Sequence, residues 1–443
     1  MLNAAQHAPK GTPIAHFLAG CVSLALIACE VAPRDASTSE ADLPPSVSNE
    51  MQGPIEARAP DLSRSLNAVD FGLTAGVRSD QSAALSKAIQ RASENADIDT
   101  VQVPEGVYCF GRAIRLRPGV NLIGAGAGKT VLEGKNAGDY LLKGADMNGR
   151  KAMVTDLTLR YRRRTVQLRE VSNLQFRRVE FSGGIVRFER CSDIILDGNI
   201  FTDNLGKAAY AGSECESIRI VNNTFVSVEQ GSINLSGHRN CVVALNHITS
   251  ASLIDSGYAG IRLPNGARNN LVERNLIENH GRGIFILSSS EKNTVRGNVV
   301  ENTTLQGVLI QSSDNLLEGN TIIDAGNEAI YVVDAGAATS PTPSLARRNR
   351  ILNNVVWDTR KHDADADRFV GLRISSRDNI VRGNKVALAQ GRRFKAIKAN
   401  AGNQDAANVY RRAAEEGDVA DSIRAAKQIR SATPRIEAGM VEE

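Results

Sequence analysis

The chain has 443 residues, 42% hydrophobic and 23% charged, with 53 basic against 49 acidic residues and a formal net charge of +4. That length and apolar share exclude a disordered tail or a small disulfide scaffold, and the near balance of charge argues against a nucleic-acid partner. Aromatic content is 4% with one Trp, while Gly reaches 38, a mixture suited to short strands and tight turns.

Residues 13–29, PIAHFLAGCVSLALIAC, form an apolar run short for a membrane span, and their end, Leu26-Ile27-Ala28-Cys29, resembles the bacterial lipobox. On that reading residues 1–29 are a lipoprotein signal segment. Cleavage before Cys29 and acylation of Cys29 then anchor the chain to a bacterial membrane, outside the cytoplasm, with the outer membrane and periplasm as the expected location. An ordinary signal peptide with a chance cysteine is the alternative, since Lys10 is the only firm positive charge before the run. Residues 30–64, rich in Pro, Ser, Ala and acidic residues without an apolar period, read as a flexible tether.

Order is expected from Ser65. Ser79 or Asp80 can cap a helix whose Ala84, Leu85, Ala88 and Ile89 share one face, and strands follow at 100–103, around Val107 and Leu116, at 120–123 and at 130–132. From about Ala152 the sequence repeats. One register position recurs as Asn199, Asn223, Asn246, Asn275, Asn298, Asn320, Asn354 and Asn384, at intervals of 24, 23, 29, 23, 22, 34 and 30. Leu157 and Val179 keep the same register upstream. Units of about 22 residues, each an alternating strand, a turn at Asn, another strand and a longer connection, bury their apolar side only by stacking on their neighbours. The reading is an all-β parallel β-helix of about ten coils over residues 65–390, with a rod core of roughly 45–50 Å at the usual strand spacing.

The Asn column reads as a structural ladder of stacked amides. Among the cysteines, Cys21, Cys29, Cys109, Cys191, Cys215 and Cys241 form no CxxC pair and have no His at ligand spacing, so no metal centre is expected. Cys191 and Cys215 stack in adjacent coils as buried thiols or, alternatively, as a disulfide, and Cys241 is expected in a strand. After Asn384 the pattern fades, and residues 391–443 read as a C-terminal helical cap or tail, with a charged helical pair at 404–431.

The block VDFGLTAGVRSDQSAALSKAIQ, then VQVPEGVYCF and LIGAGAGKTVL, followed by the Asn-marked coils, resembles the right-handed parallel β-helix proteins of the pectate-lyase superfamily over residues 67–390. The resemblance implies the fold. It does not select an activity, because the scaffold carries polysaccharide lyases, uronate epimerases, glycoside hydrolases and non-catalytic surface proteins. The Asp-Pro-His-Asp motif of its alginate epimerases is absent. Ser236-Gly237-His238 is faintly similar to the polygalacturonase Gly-His-Gly, without its Asp partners, and Arg262 in GIRLPNG matches only the Arg of the Lys and Arg pair of chondroitinase B.

Aligning the strand before each turn gives an outward column of Arg187, Tyr210, Asn234, Arg262, Phe285, Leu309, Tyr331 and Arg373. Arg160, Arg162, Arg163, Arg164, Arg169, Arg177, Arg178, Arg187 and Arg190 lie within 31 residues, giving either a basic field suited to a polyanion or ion-paired arginines on several faces. Insertions bring Asp255 and Tyr258 just before Arg262 and add KHDADAD at 361–367, a solvated loop or a weak oxygen site for Ca²⁺; no other cofactor is expected. β-Elimination or C5-epimerisation of a uronate needs its carboxylate neutralised and the proton beside it removed. Arg262 suits the first task, with Asn234 beside it, and Tyr210, Tyr258 or His238 the second, with Asp255 close by. Arg187, Glu189, Tyr331 and Arg373 are the expected binding residues around them. A hydrolase needs two carboxylates about 5–10 Å apart, for which Asp255 with Glu189 or Asp334 are the candidates. The expected function is that of a monomeric lyase or epimerase on an anionic polysaccharide, held at a membrane by its lipid. Its rivals are a hydrolase and a non-catalytic carbohydrate-binding module.

Overall fold

In the coil that begins at Leu271, strand Leu271–Glu273 turns at Arg274 and Asn275 into strand Leu276–His280, and a sharp bend leads into strand Arg282–Ile286. The next coil repeats this directly above, with Leu271 opposite Thr294, Leu276 opposite Val299 and Ile284 opposite Val308, every pair parallel. Each coil thus adds one strand to each of three stacks, here the first, second and third sheets in chain order. The long strands Ala152–Arg160 and Leu174–Ser182 each run through both of the first two stacks and join them. The computed structural model describes residues 62–411 apart from 136–139, 163, 205, 207, 227–229, 337–342, 360–369 and 389–394, together with 424, 427–429 and 431–433. The leader with Cys29, the tether to residue 61 and the acidic run 361–367 lie outside the described residues.

The all-β parallel β-helix expected from the repeat is the fold found. Alternation of side chains along each strand builds its core. In the third sheet Val186, Tyr210, Ile233, Ile261, Ile284, Val308, Ile330 and Leu372 are buried in one inward column. In the second, Phe181, Phe201 and Phe225 stack with ring centroids 4.7 and 4.3 Å apart. Helix α1, Ser82–Ser93, closes the N-terminal end with Leu85, Ala88, Ile89 and Ala92 buried. Asp80 Oδ1 accepts from the Ser82 amide at 2.9 Å and from the Gly111 amide at 2.8 Å, and hydrogen bonding, led by that from the Ser82 hydroxyl, holds its carboxyl down to about 2.

The asparagine column is a ladder. Asn275 Oδ1 accepts from the backbone amide of Asn246 at 3.1 Å and from its Nδ2 at 2.9 Å, while Asn275 Nδ2 donates to the Val243 carbonyl at 2.9 Å. The same three bonds repeat up the stack, and Asn408 extends it past Asn384. A second ladder, five residues earlier in each coil, runs through Asn270, Asn293, Asn315, Asn349, Asn379 and Asn403, and Asn270 accepts from the Cys241 amide below it. The residue before each rung of the first ladder is left-handed, from Gly198 (φ 64°) and Asn222 (56°) through Leu245 (57°) and Arg274 (50°) to Gly383 (67°). That conformation aims the rung's side chain into the stack and accounts for the recurring Gly-Asn and Asn-Asn pairs.

Two expectations change here. Strands Lys395–Ala399, Gln404–Ala406 and Val409–Arg411 continue the sheets beyond residue 390, so 404–411 is strand where the sequence suggested helix. Helical residues lie further on, at 427–429 and 431–432, and there Ile429 packs with Leu276, Val299, Ile323 and Trp357 on the outside of the second sheet, along its flank and away from the last coil's edge. Cys109, Cys191, Cys215 and Cys241 are buried free thiols. Cys191 and Cys215 do stack, the Cys191 amide donating to Cys215 Sγ at 3.4 Å, and Cys241 precedes the strand Val242–Ala244 instead of lying within it.

Candidate functional site

Outward positions of the third sheet follow from its pairing: Arg187 lies opposite Ala211, and Ala211, Asn234, Arg262, Phe285, Leu309, Tyr331 and Arg373 follow in successive coils. The column expected from the sequence is displaced at one position. Tyr210 points inward and Ala211 takes its place, a shift of one residue that reverses the facing of the side chain.

Tyr210 is fully buried, edge-on to Phe188 with centroids 5.2 Å apart, and its hydroxyl lies 3.0 Å from Nε2 of the equally buried His238. His238 Nδ1 donates to the Ser236 carbonyl at 3.1 Å, which leaves Nε2 to accept from Tyr210. Burial pushes the imidazole down to about 4 and the phenol well up. A Cβ at Gly212, on the strand of Tyr210, would fall 2.2 Å from the His238 ring, so that strand leaves room for the imidazole of the next coil. Neither side chain reaches the outer face, and the base roles suggested for Tyr210 and His238 are corrected to a core hydrogen-bonded pair.

The arginine cluster proves to be dispersed and paired. Arg177 meets Asp197 at 3.2 Å, Arg178 meets Asp156 at 2.6 Å, Arg190 meets Glu170 at 2.5 Å, and Arg187 and Arg169 both meet Glu189, at 2.6 and 3.5 Å. Arg164 lies over the Tyr140 ring, and Arg163 lies outside the described residues. Five of the nine arginines, Arg169, Arg177, Arg178, Arg187 and Arg190, are thus ion-paired.

Around Arg262 the arrangement differs. Its guanidinium carbon lies 4.7 Å from the centroid of Tyr258, carried there by the insertion 250–258, and 6.0 Å from that of Phe285 on the next coil. Its Nε is buried without a hydrogen-bond partner, and burial lowers its pKa while Tyr258 opposes that shift. Asn234, opposite Arg262 on the preceding coil, has its Oδ1 buried and unpartnered too. Asp255 is exposed on the same insertion.

Arg282, which the sequence reading missed, approaches Phe285 with its guanidinium carbon 5.3 Å from the ring centroid. It donates to the Gly257 carbonyl and, through Nε, to Gln306 Oε1 at 2.6 Å. Gln306 Nε2 donates to Glu328 Oε2 at 2.8 Å, and Glu328 Oε1 receives Arg373 at 2.8 Å, so a polar chain crosses the face from the insertion to Arg373. Arg373 also stacks on Tyr331 at 5.0 Å. Among the described residues no carboxylate forms an ion pair with Arg262 or Arg282. Between the arginines, Phe285 and Leu309 are buried in an outward apolar cluster with Ala259, against which Leu287, Tyr331 and Val333 pack.

The carboxylates that a hydrolase would need are dispersed. Glu189 lies three coils to one side of Arg262 and is held by two arginines, while Asp334 lies three coils to the other side and accepts from the Ala346 amide at 2.8 Å. At about 4.8 Å per coil, either stands roughly 14 Å along the axis from the rung of Arg262. The described residues include no group of three or more His, Cys, Asp or Glu placed to hold a metal, and the Ca²⁺ candidate at 361–367 lies outside them. A shallow depression at the turn between third and first sheets, lined by Gly266, Arg268, Asn269, Ser289, Glu291 and Lys292, includes none of the predicted site residues.

The family model described as rhamnogalacturonase A/epimerase, pectate lyase-like, matches residues 65–331. Among solved structures, the A-module of a mannuronan C-5 epimerase from Azotobacter vinelandii is similar with a TM-score of 0.60 and 17% identity, over 79% of this chain and 100% of that one. The catalytic domain of a GH87 α-1,3-glucanase gives 0.54 and 12%, over 81% and 70%. A family 28 exopolygalacturonase of Yersinia enterocolitica gives 0.50 and 13%, over 78% of each chain. At these identities the likeness is one of fold. No curated protein sequence matches this one significantly.

Proposed function

This chain belongs to the rhamnogalacturonase A/epimerase, pectate lyase-like family, and from that premise we propose that it acts on an acidic polysaccharide laid across the outer face of the third sheet, by abstraction of the proton beside a uronate carboxylate. The observation that carries this reading is Arg262, a partly buried guanidinium with an unpartnered Nε and no carboxylate of its own. Holding a cation partly out of water without a carboxylate beside it is costly, and a ligand carboxylate that replaces the lost water offsets that cost.

In this mechanism Arg262 binds the substrate carboxylate and stabilises the enolate, and Asn234 orients the sugar. Tyr258, whose ring lies against that guanidinium, takes the carbon-bound proton as its phenolate and becomes the phenol. Collapse of the enolate breaks the bond from C4 to its oxygen, which leaves with the proton returned by the Tyr258 phenol, and gives the unsaturated lyase product. Return of a proton to the opposite face gives the epimer.

The test is to incubate purified protein with alginate, polygalacturonate, chondroitin and heparin-type polymers, reading unsaturated uronate by ultraviolet absorbance and epimer ratio by NMR. Arg262→Ala is expected to lower kcat/KM by about 10²–10³-fold, and Tyr258→Phe to lower kcat by about 10²–10⁴-fold with KM little changed. No product from any polymer that the protein binds would favour the second reading, a non-catalytic binding module. The apolar strip of Phe285, Leu309 and Tyr331 on the same face supports that alternative. The proposal extends to the anchor: a monomer acylated at Cys29 and held outside the cytoplasm, for which fatty-acid labelling lost in Cys29→Ala is the check.

A further inference from the structure

We infer that Asn279 is a positioning residue of this face: it holds the insertion 250–258 as a fixed wall and so keeps the Tyr258 ring on the Arg262 guanidinium. This rests on the reading proposed above, in which those two side chains act on one uronate.

The insertion lengthens its coil to 29 residues between asparagine rungs, against 23 in the next. The added residues leave the parallel ladder, and of their side chains Ile254 is buried while Ala251, Ser252, Leu253 and Asp255 are exposed. A segment with so little apolar burial opens readily unless polar bonds fix it. Those bonds converge on one residue of the next coil. Asn279 Nδ2 donates to the Ser250 carbonyl, where the insertion starts, at 3.0 Å, and the Asn279 carbonyl accepts from the Ile254 amide, at its middle, at 3.1 Å. Asn302, one coil further, donates to Asn279 Oδ1 at 2.7 Å, and Thr304 Oγ1 donates to the Ile254 carbonyl at 2.6 Å.

Asn279 stands where it does for a backbone reason. Four residues after each rung of the first ladder the chain turns from the second sheet toward the third, and Asp203, Asn279, Asn302 and Asp324 all sit there in the left-handed conformation, φ 52–58°. A short polar side chain tolerates that conformation and reaches the neighbouring coil. In the inserted coil the same position is Ser250, so this line of corners ends on the carbonyl from which the insertion departs. The far end of the insertion is seated too: the Arg282 amide donates to the Tyr258 carbonyl at 3.0 Å, and a Cβ at Gly281 would fall 1.9 Å from the Ser256 carbonyl oxygen. Behind the insertion the buried Ser232 hydroxyl stands 3.3 Å from His280 Nε2, two coils away, so the coils on either side meet where the middle one turns out. A wall gripped at its start, middle and end has one position, and a displacement of about 1 Å at Tyr258 is enough to slow a proton transfer about 10²-fold.

Glycine takes a left-handed φ without strain, so Asn279→Gly removes the side-chain bonds and keeps the turn. Hydrogen exchange of the full chain is expected to run about tenfold faster or more over 250–258 in this variant, with 271–277 unchanged. On a polymer that the unmodified protein turns over, kcat is expected to fall about 10–100-fold with KM little changed. Asp324→Gly, which loses two bonds to Thr359 at the same corner two coils on, separates positioning from stability: it should lower the melting temperature and leave both kcat and exchange over 250–258 as they were. Exchange over 250–258 that is unchanged in Asn279→Gly, or already as fast as an unfolded segment in the unmodified protein, overturns the inference, as does a fall in kcat that Asp324→Gly matches. An unmodified protein inactive on every polymer it binds overturns the proposed reaction, and exchange over 250–258 then still decides whether Asn279 holds the wall.

Discussion

A tyrosine hydroxyl 3.0 Å from a histidine nitrogen has the makings of an acid–base pair, yet Tyr210 and His238 are sealed in the core, where the bond satisfies two polar groups that water cannot reach. Tyr210→Phe should therefore destabilise the fold by about 1–3 kcal/mol, measured by urea denaturation, and leave the activity proposed for Arg262 unchanged. The buried imidazoles also set a pH dependence. Burial lowers His238 and His280 to about 4, so between pH 6.5 and 4 the unfolded chain takes up protons that the folded chain refuses. Stability is whole above that window and falls as pH falls through it, by roughly 3 kcal/mol per histidine. Melting temperatures at pH 7, 5.5 and 4.5 should show the decline, flattened in a chain with both residues changed to Gln. Arg262 stood out in the sequence because an insertion and a polar column converge on it. The facing of Tyr210 did not, because Ala-Ala-Tyr-Ala-Gly offers alternation no polar marker to fix its phase, and Arg282 was passed over because it begins its strand, ahead of the outward column.

At the scale of the coil, the asparagine period announced the turns, and its physical basis is an amide that both accepts from the coil below and donates to a backbone carbonyl. Asn275→Ala strands the Asn246 amide and the Val243 carbonyl, and should cost about 2–4 kcal/mol in a denaturant titration. Asn408→Ala, at the exposed end of the same ladder, should cost less than half of that. Leu245 holds a left-handed conformation at φ 57° with its side chain 39% exposed, so Leu245→Gly is expected to stabilise by about 1 kcal/mol, read as a rise in melting temperature. The second ladder was equally present in the sequence, as an Asn five residues before the turn Asn in NLVERN, NTVRGN and NLLEGN. It was hidden because Cys241 and Ile218 hold that position in the earlier coils, so the column lacks the long run that drew attention to its neighbour.

Across the whole solenoid, period and alternation were enough to name the architecture, whereas the path of the C-terminal segment was not readable, since its contact is with coils more than a hundred residues away. Ile429 covers Leu276, Val299 and Ile323 beside Trp357, the only tryptophan in the chain. Ile429→Asp should uncover that strip, shifting Trp357 emission to the red and raising binding of an apolar dye, with the outer face of the third sheet unaffected. The rungs of the ladder carry a further consequence. Each asparagine addresses only the coils next to it, and it finds the same chemistry whether the interval is 22 residues or 34. A coil is therefore an interchangeable part: excising the 22 residues from Asn298 to Gly319 would bring Asn320 against Asn275 and restore the broken bonds. The length of such a molecule is open to editing in whole turns, each one lengthening or shortening the rod by about 4.8 Å.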